Sequence, residues 1–111
     1  MNTPELAITN QVQLGPEKPP LLMAGPCVIE GPQTVDYAIA TKETLAGLDL
    51  QLVFKASFDK ANRNSISGER GIGLTAGLEI LAEIKERLQV PIVTDVHLPE
   101  QCAAVAEVCD I

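Results

Sequence analysis

The chain has 111 residues, 46% of them hydrophobic and 21% charged, which is enough apolar material for one soluble core and too little charge for a disordered tail. No apolar run is long enough for a membrane span or the core of a secretory leader, and three cysteines (Cys27, Cys102, Cys109) do not make a disulfide scaffold, so a reducing, cytoplasmic compartment is expected. Fifteen acids against eight bases give a net charge of −7, which argues against nucleic acid as a partner because a duplex-binding protein approaches phosphates with positive charge.

In chain order, residues 7 to 20 space Ile8, Val12 and Leu14 with polar residues and end in a Gly-Pro turn and two further prolines, which predicts a short hairpin placed to close one end of a barrel. Leu21 to Ala24 is an apolar run stopped by Gly25-Pro26, a first strand. Val35, Ala38, Ile39, Leu45, Ala46 and Leu48 follow helical spacing, with Thr34 as the expected N-cap and Gly47 near the helix end. Leu50 to Phe54, ending in Lys55, is a second strand; Leu78, Leu81, Ile84 and Leu88 then mark one face of a helix starting near Leu74, with Glu79, Glu83, Glu86 and Arg87 outside it. Pro91 to Val96 is a third strand, Pro99 opens a third helix with Val105 and Val108 on its apolar side, and a fourth strand is expected to begin near Val108 to Ile111.

Strands that are apolar throughout, separated by amphipathic helices, predict an α/β fold with a parallel sheet covered by helices. Ligands in such folds sit at the carboxyl ends of the strands. Three polar clusters satisfy that rule: Gly25-Pro26-Cys27 with Glu30, then Lys55, Ser57, Asp59, Lys60, Asn62 and Arg63, then Thr94, Asp95 and His97. Residues 55 to 70 also hold four of the eight cations with two acids, a window of +2 in a chain that is otherwise −9. Such an island suits a small anionic ligand, although a solvated loop with scattered charges gives the same count.

Taken together, AGPCVIE at 24 to 30, FKASFDKANRNS at 54 to 65, RGIGL at 70 to 74 and TDVH at 94 to 97 resemble the 3-deoxy-D-manno-octulosonate 8-phosphate synthases, from about Leu21 to the last residue. The resemblance implies a (β/α)8 TIM barrel, of which the hairpin and about three and a half β/α units are here, all within a single partial domain, 1–111. It implies condensation of phosphoenolpyruvate with D-arabinose 5-phosphate and water, releasing phosphate, and a homotetramer for the full-length form. The synthases that use erythrose 4-phosphate share an AGPC-type opening but usually carry a Lys-Pro-Arg-Thr-Ser type of sequence after strand two, where this chain has KASFDKANR.

The chemistry explains the loop: both substrates are phosphate esters and one adds a carboxylate, so a water-poor site must supply several fixed cations and donors. By resemblance Lys55 and Lys60 meet phosphoenolpyruvate with Ser57 hydrogen bonding nearby, and Lys60 has a catalytic role. Asn62 and Arg63 hold arabinose 5-phosphate, Arg63 through its planar fork. Asp95 is a catalytic carboxylate near the reacting ends; from the residues alone it reads as a strand-end cap or salt-bridge partner. Asn64 stands beside the sugar-phosphate contact where the family usually has serine, and Ser67 where many members have histidine.

Cys27 stands where metal-dependent members have cysteine and metal-independent ones asparagine, so the resemblance implies a divalent transition metal (zinc, iron or manganese) bound by this thiolate. Read alone, a single cysteine is more often a buried apolar residue. Cys102 and Cys109 are expected to pack, and His97 to be a satisfied loop histidine. A barrel needs about 250 residues, so the chain is expected to be an N-terminal piece, inactive alone. A non-catalytic phosphosugar-binding or assembly fragment is the alternative from outside enzymology.

Overall fold

The computed structural model describes residues 4–59 and 71–111. Two short strands, β1 (Leu6–Ala7) and β2 (Gln13–Leu14), form the expected antiparallel hairpin. The main sheet has three strands in the order β3 (Leu21–Ala24), β4 (Gln51–Lys55) and β5 (Ile92–Val93), parallel throughout, as continuous apolar runs separated by helices require. Among the described residues the sheet does not close into a barrel.

Alternation along the strands divides their side chains between two faces. Phe54 and Ile92 point to one face, where helices α1 (Thr34–Leu45) and α2 (Leu74–Leu88) cover them with Val35, Ala38, Leu81 and Ile84. Val53 and Val93 point to the other, where Val12 of the hairpin buries them together with Ile8 and Leu21. Burial of a valine there is worth roughly 2 kcal/mol relative to exposure, which fastens the hairpin over the amino ends of the strands. Gln51 adds a polar tether: its amide accepts from Gln13 N–H at 2.9 Å and donates to the Gln13 and Pro19 carbonyls at 2.7 Å each.

α2 begins at Leu74 and buries Leu81, Ile84 and Leu88 as the spacing predicts, with Glu79, Glu83, Glu86 and Arg87 exposed. Lys42 of α1 donates to the carbonyl of Leu88 at 2.5 Å and joins the two helix ends. The third helical segment is a 3-10 turn from Pro99 to Gln101 followed by α3 (Cys102–Ala106), with Val105 buried and Val108 packed on the core.

Four details differ from the expectation. The N-cap of α1 is Gln33, and Thr34 lies inside the helix, buried, because Thr34 N–H already bonds the Gly31 carbonyl at 3.1 Å. Leu48 is 59% exposed, since the helix ends before it. The third strand spans only Ile92–Val93, because beyond it Thr94 and His97 join the segment after β4 through side chains instead of a backbone ladder. Cys102 is exposed on α3, whereas Cys109 packs against the core as expected. The fourth strand is represented by one rung: Ile111 N–H donates to Ile92 O at 3.2 Å and Ile111 O accepts from Thr94 N–H at 3.3 Å, the bonding of a parallel neighbour.

Candidate active site at the carboxyl ends of the strands

The three sequence clusters meet at one edge of the sheet. After Ala24 the first strand runs against Lys55 so closely that a Cβ on Gly25 would overlap the Lys55 carbonyl oxygen, so only glycine fits. Ala24 pairs with Phe54 but Val28 pairs with Ser57. The Gly25-Pro26-Cys27 segment therefore holds one extra residue, a bulge-like step of the kind found beside active sites. Cys27 lies on this step and is exposed.

Between the second and third strands the register continues past the regular ladder. Lys55 pairs with Val93, and the same 38-residue offset then joins side chains to the opposite segment. Thr94 Oγ1 donates to Ala56 O at 2.8 Å, Ser57 Oγ donates to Asp95 Oδ1, and His97 Nε2 lies 2.7 Å from Asp59 O. These contacts hold two post-strand segments parallel where the backbone ladder has stopped. Ser57 is completely buried, while the Asp95 side chain is 42% exposed and offers its second oxygen to His97 Nε2 at 3.3 Å.

Lys55 ends β4 on the face carrying Val53, half-buried and with no side-chain partner among the described residues. A cation in that setting attracts an anion. Phe58, 1% exposed, carries the chain onward from there: Gly73 N–H donates to its carbonyl at 3.0 Å, and a Cβ on Gly77 of α2 would come within 2.5 Å of Phe58 Cβ. The glycines of the 70–77 stretch thus let the start of α2 pack directly on the segment after β4.

Of the sequence-predicted site residues, the fold brings Lys55, Ser57 and Asp95 to one edge of the sheet, with Cys27 on the neighbouring step. Lys60, Asn62, Arg63 and Asn64 lie outside the described residues, as does Ser67. His97 is satisfied, as expected, but by partners that the sequence did not reveal: Asp59 O, Asp95 and the Phe58 ring, packed edge-to-face with centroids 5.8 Å apart and planes at 68°. A recurring offset of 38 residues joins segments that no local pattern relates, so this network carries no sequence signal.

For a metal, the described residues hold no group of three His, Cys, Asp or Glu side chains close enough to bind an ion. Cys27 is accessible and has soft-donor chemistry suited to a transition metal. No helix among the described residues is long and apolar enough to cross a membrane.

The sequence model of the DAHP synthetase I family matches residues 4–111. A protein of Methylobacterium radiotolerans named 2-dehydro-3-deoxyphosphooctonate aldolase is 55% identical over 94 residues, covering 84% of this chain and 33% of its own length. Proteins of the same name from Magnetococcus marinus and Desulfatibacillum aliphaticivorans are 46% and 47% identical, each covering 98% of this chain and 38% and 40% of their own lengths. The chain thus spans 33% to 40% of the length of these relatives. That name is another for the octulosonate 8-phosphate synthase that the motifs resemble, and a family match running from residue 4 to residue 111 places the chain in the DAHP synthetase I family.

Proposed function

We propose that this chain is part of a 3-deoxy-D-manno-octulosonate 8-phosphate synthase, a (β/α)8 barrel enzyme that condenses phosphoenolpyruvate with D-arabinose 5-phosphate and water and releases phosphate. The observation that carries the reading is the name shared by relatives 46% to 55% identical over most of the chain. Support from the fold is the meeting of Lys55, Ser57 and Asp95 at the carboxyl edge of a parallel sheet, where ligands bind in barrels. The description of the family model also favours a second reading, the seven-carbon synthase that uses erythrose 4-phosphate.

In this reading Lys55 and Lys60 neutralise phosphoenolpyruvate, Asn62 and Arg63 hold the aldose phosphate, Asn64 lies beside that contact, and Asp95 orients sugar hydroxyls or takes part in proton transfer near the reacting ends. The enol carbon of phosphoenolpyruvate attacks the aldehyde carbon of the sugar, whose oxygen takes a proton; water adds to the phosphate-bearing carbon, losing a proton, and that C–O bond then breaks to release phosphate, so both phosphates must be held while the two carbons approach. A water-poor site strengthens each charge-assisted contact to the two substrates. Cys27 would supply a thiolate to a divalent transition metal, which acts as a Lewis acid or positions water when bound. The protein is cytoplasmic, works on small phosphorylated substrates, and assembles as a homotetramer in its full-length form.

Steady-state kinetics of a full-length protein carrying these residues tests the assignment. Lys60→Ala impairs use of phosphoenolpyruvate, and Arg63→Ala raises KM for arabinose 5-phosphate, each with a transition-state loss of about 2–4 kcal/mol. Arg63→Lys recovers part of the loss, since an ammonium keeps the charge and not the fork. Wild-type constants for both substrates in both alanine variants would refute the assignment at residues 55 to 63. Exhaustive chelation should abolish activity and a divalent transition metal restore it; full activity with no metal by elemental analysis would return Cys27 to a packing role.

A further inference from the structure

Both oxygens of the Asp95 carboxylate, which is partly exposed at the strand ends, meet a neighbouring side chain, and both neighbours are themselves fixed. Ser57 Oγ donates to Oδ1 from a completely buried position in the segment after β4. His97 Nε2 lies 3.3 Å from Oδ2 and 2.7 Å from Asp59 O. A carbonyl oxygen only accepts, so Nε2 carries the hydrogen and shares it between the two oxygens. The imidazole is held in turn: it packs edge-to-face with the Phe58 ring, centroids 5.8 Å apart, and Gln101 Oε1 accepts from the backbone N–H groups of His97 and Leu98 at 3.1 Å each.

We propose that Ser57 and His97 are positioning residues that fix the Asp95 carboxylate from opposite oxygens, so that Asp95 presents a constant orientation to the reacting sugar. The inference rests on the reading of Asp95 as part of the condensation site and deepens it. A carboxylate free to rotate about two side-chain bonds would spend little time aligned with a hydroxyl or an aldehyde. Two donors on separate oxygens remove that freedom before substrate arrives. Ser57 thereby acts through Asp95, since its buried hydroxyl is committed as a donor to that carboxylate. His97 joins Asp95 to the backbone at Asp59, so the segments after β4 and β5 are tied to each other at this carboxylate. The arrangement uses two pairs at the 38-residue offset that the parallel register sets, Ser57 with Asp95 and Asp59 with His97, which is how two distant stretches of sequence meet around one side chain.

The test compares Ser57→Ala, His97→Ala and His97→Gln in a full-length protein carrying residues 1–111, with kcat, both KM values and Tm measured for each. Positioning predicts that both alanine variants lose about 100-fold in kcat while KM for phosphoenolpyruvate moves by less than roughly threefold, because misplacement of a reacting group costs rate before binding. Glutamine at 97 can place an amide N–H near the Nε2 position and should recover about tenfold. Wild-type kcat in both alanine variants, or a raised KM for phosphoenolpyruvate with kcat intact in Ser57→Ala, would overturn the proposal. Nitrogen-15 NMR of His97 in the unsubstituted protein gives a readout independent of turnover: hydrogen on Nε2 is expected, and hydrogen on Nδ1 alone would remove the bonds to Asp59 and Asp95 and overturn it. A protein with the Nε2–H tautomer and no condensation of the two substrates would refute the functional reading and leave the cradle standing.

Discussion

The three cysteines of the chain fall into two environments, and the difference decides their chemistry. Cys27 and Cys102 are exposed, whereas Cys109 packs against the core beside Asp110 and Lys85. Burial, reinforced by the Asp110 carboxylate and opposed by the Lys85 ammonium, pushes the Cys109 thiol up from the ordinary 9.0 to about 11. The thiolate is the reactive form. Iodoacetamide at pH 8 should therefore label Cys27 and Cys102 while Cys109 stays unmodified, as peptide mass spectrometry will show; equal labelling of all three would contradict the assigned environments. The unfolded thiol releases its proton near 9.0 and the folded one only near 11. The folded state thus binds more protons in that window, and this contribution to stability is full below it and lost as pH rises through it. The sequence put Cys27 at the end of a strand and Cys109 among the packing residues of the last helix and strand, but read alone it favoured a buried Cys27, whereas the step after Ala24 leaves that thiol exposed. It missed the exposure of Cys102, because the helix there is only five residues long and has too few turns to define a buried face.

Elements with strong periodicity were readable in advance, and those fixed by long-range polar contacts were not. Leu21–Ala24 and the start of α2 at Leu74 lie where the sequence puts them, since an apolar run bounded by Gly-Pro and a stripe of leucines leave few alternatives. The hairpin was readable from Ile8, Val12 and Leu14, but its tether was not: Gln51 sits in an apolar strand pattern, 38 residues from Gln13. Its three hydrogen bonds behave like a short extra strand, satisfying both backbone groups of Gln13 and the Pro19 carbonyl. Gln51→Ala leaves those groups without partners and should cost about 1–3 kcal/mol. Hydrogen exchange is the check, with faster exchange at residues 6 to 14 and little change in α2; unchanged protection of the hairpin would mean that Val12 packing alone holds it.

At the scale of the molecule, the parallel sheet, its helical cover and the gathering of polar residues at the carboxyl ends all followed from the order of elements. The joining of Ser57, Asp95, His97 and Asp59 across a constant offset did not, because register is set by packing between strands and leaves no mark in a single sequence. The site on that edge is read as one that couples phosphoenolpyruvate to a five-carbon aldose phosphate. The most direct measurement supplies a full-length protein carrying residues 1–111 with phosphoenolpyruvate and, in separate reactions, arabinose 5-phosphate or erythrose 4-phosphate, and follows phosphate release and product mass. Phosphate release with an eight-carbon phosphorylated sugar acid from arabinose 5-phosphate is the predicted result. A seven-carbon product from erythrose 4-phosphate as the efficient reaction, or release with neither sugar, would contradict it.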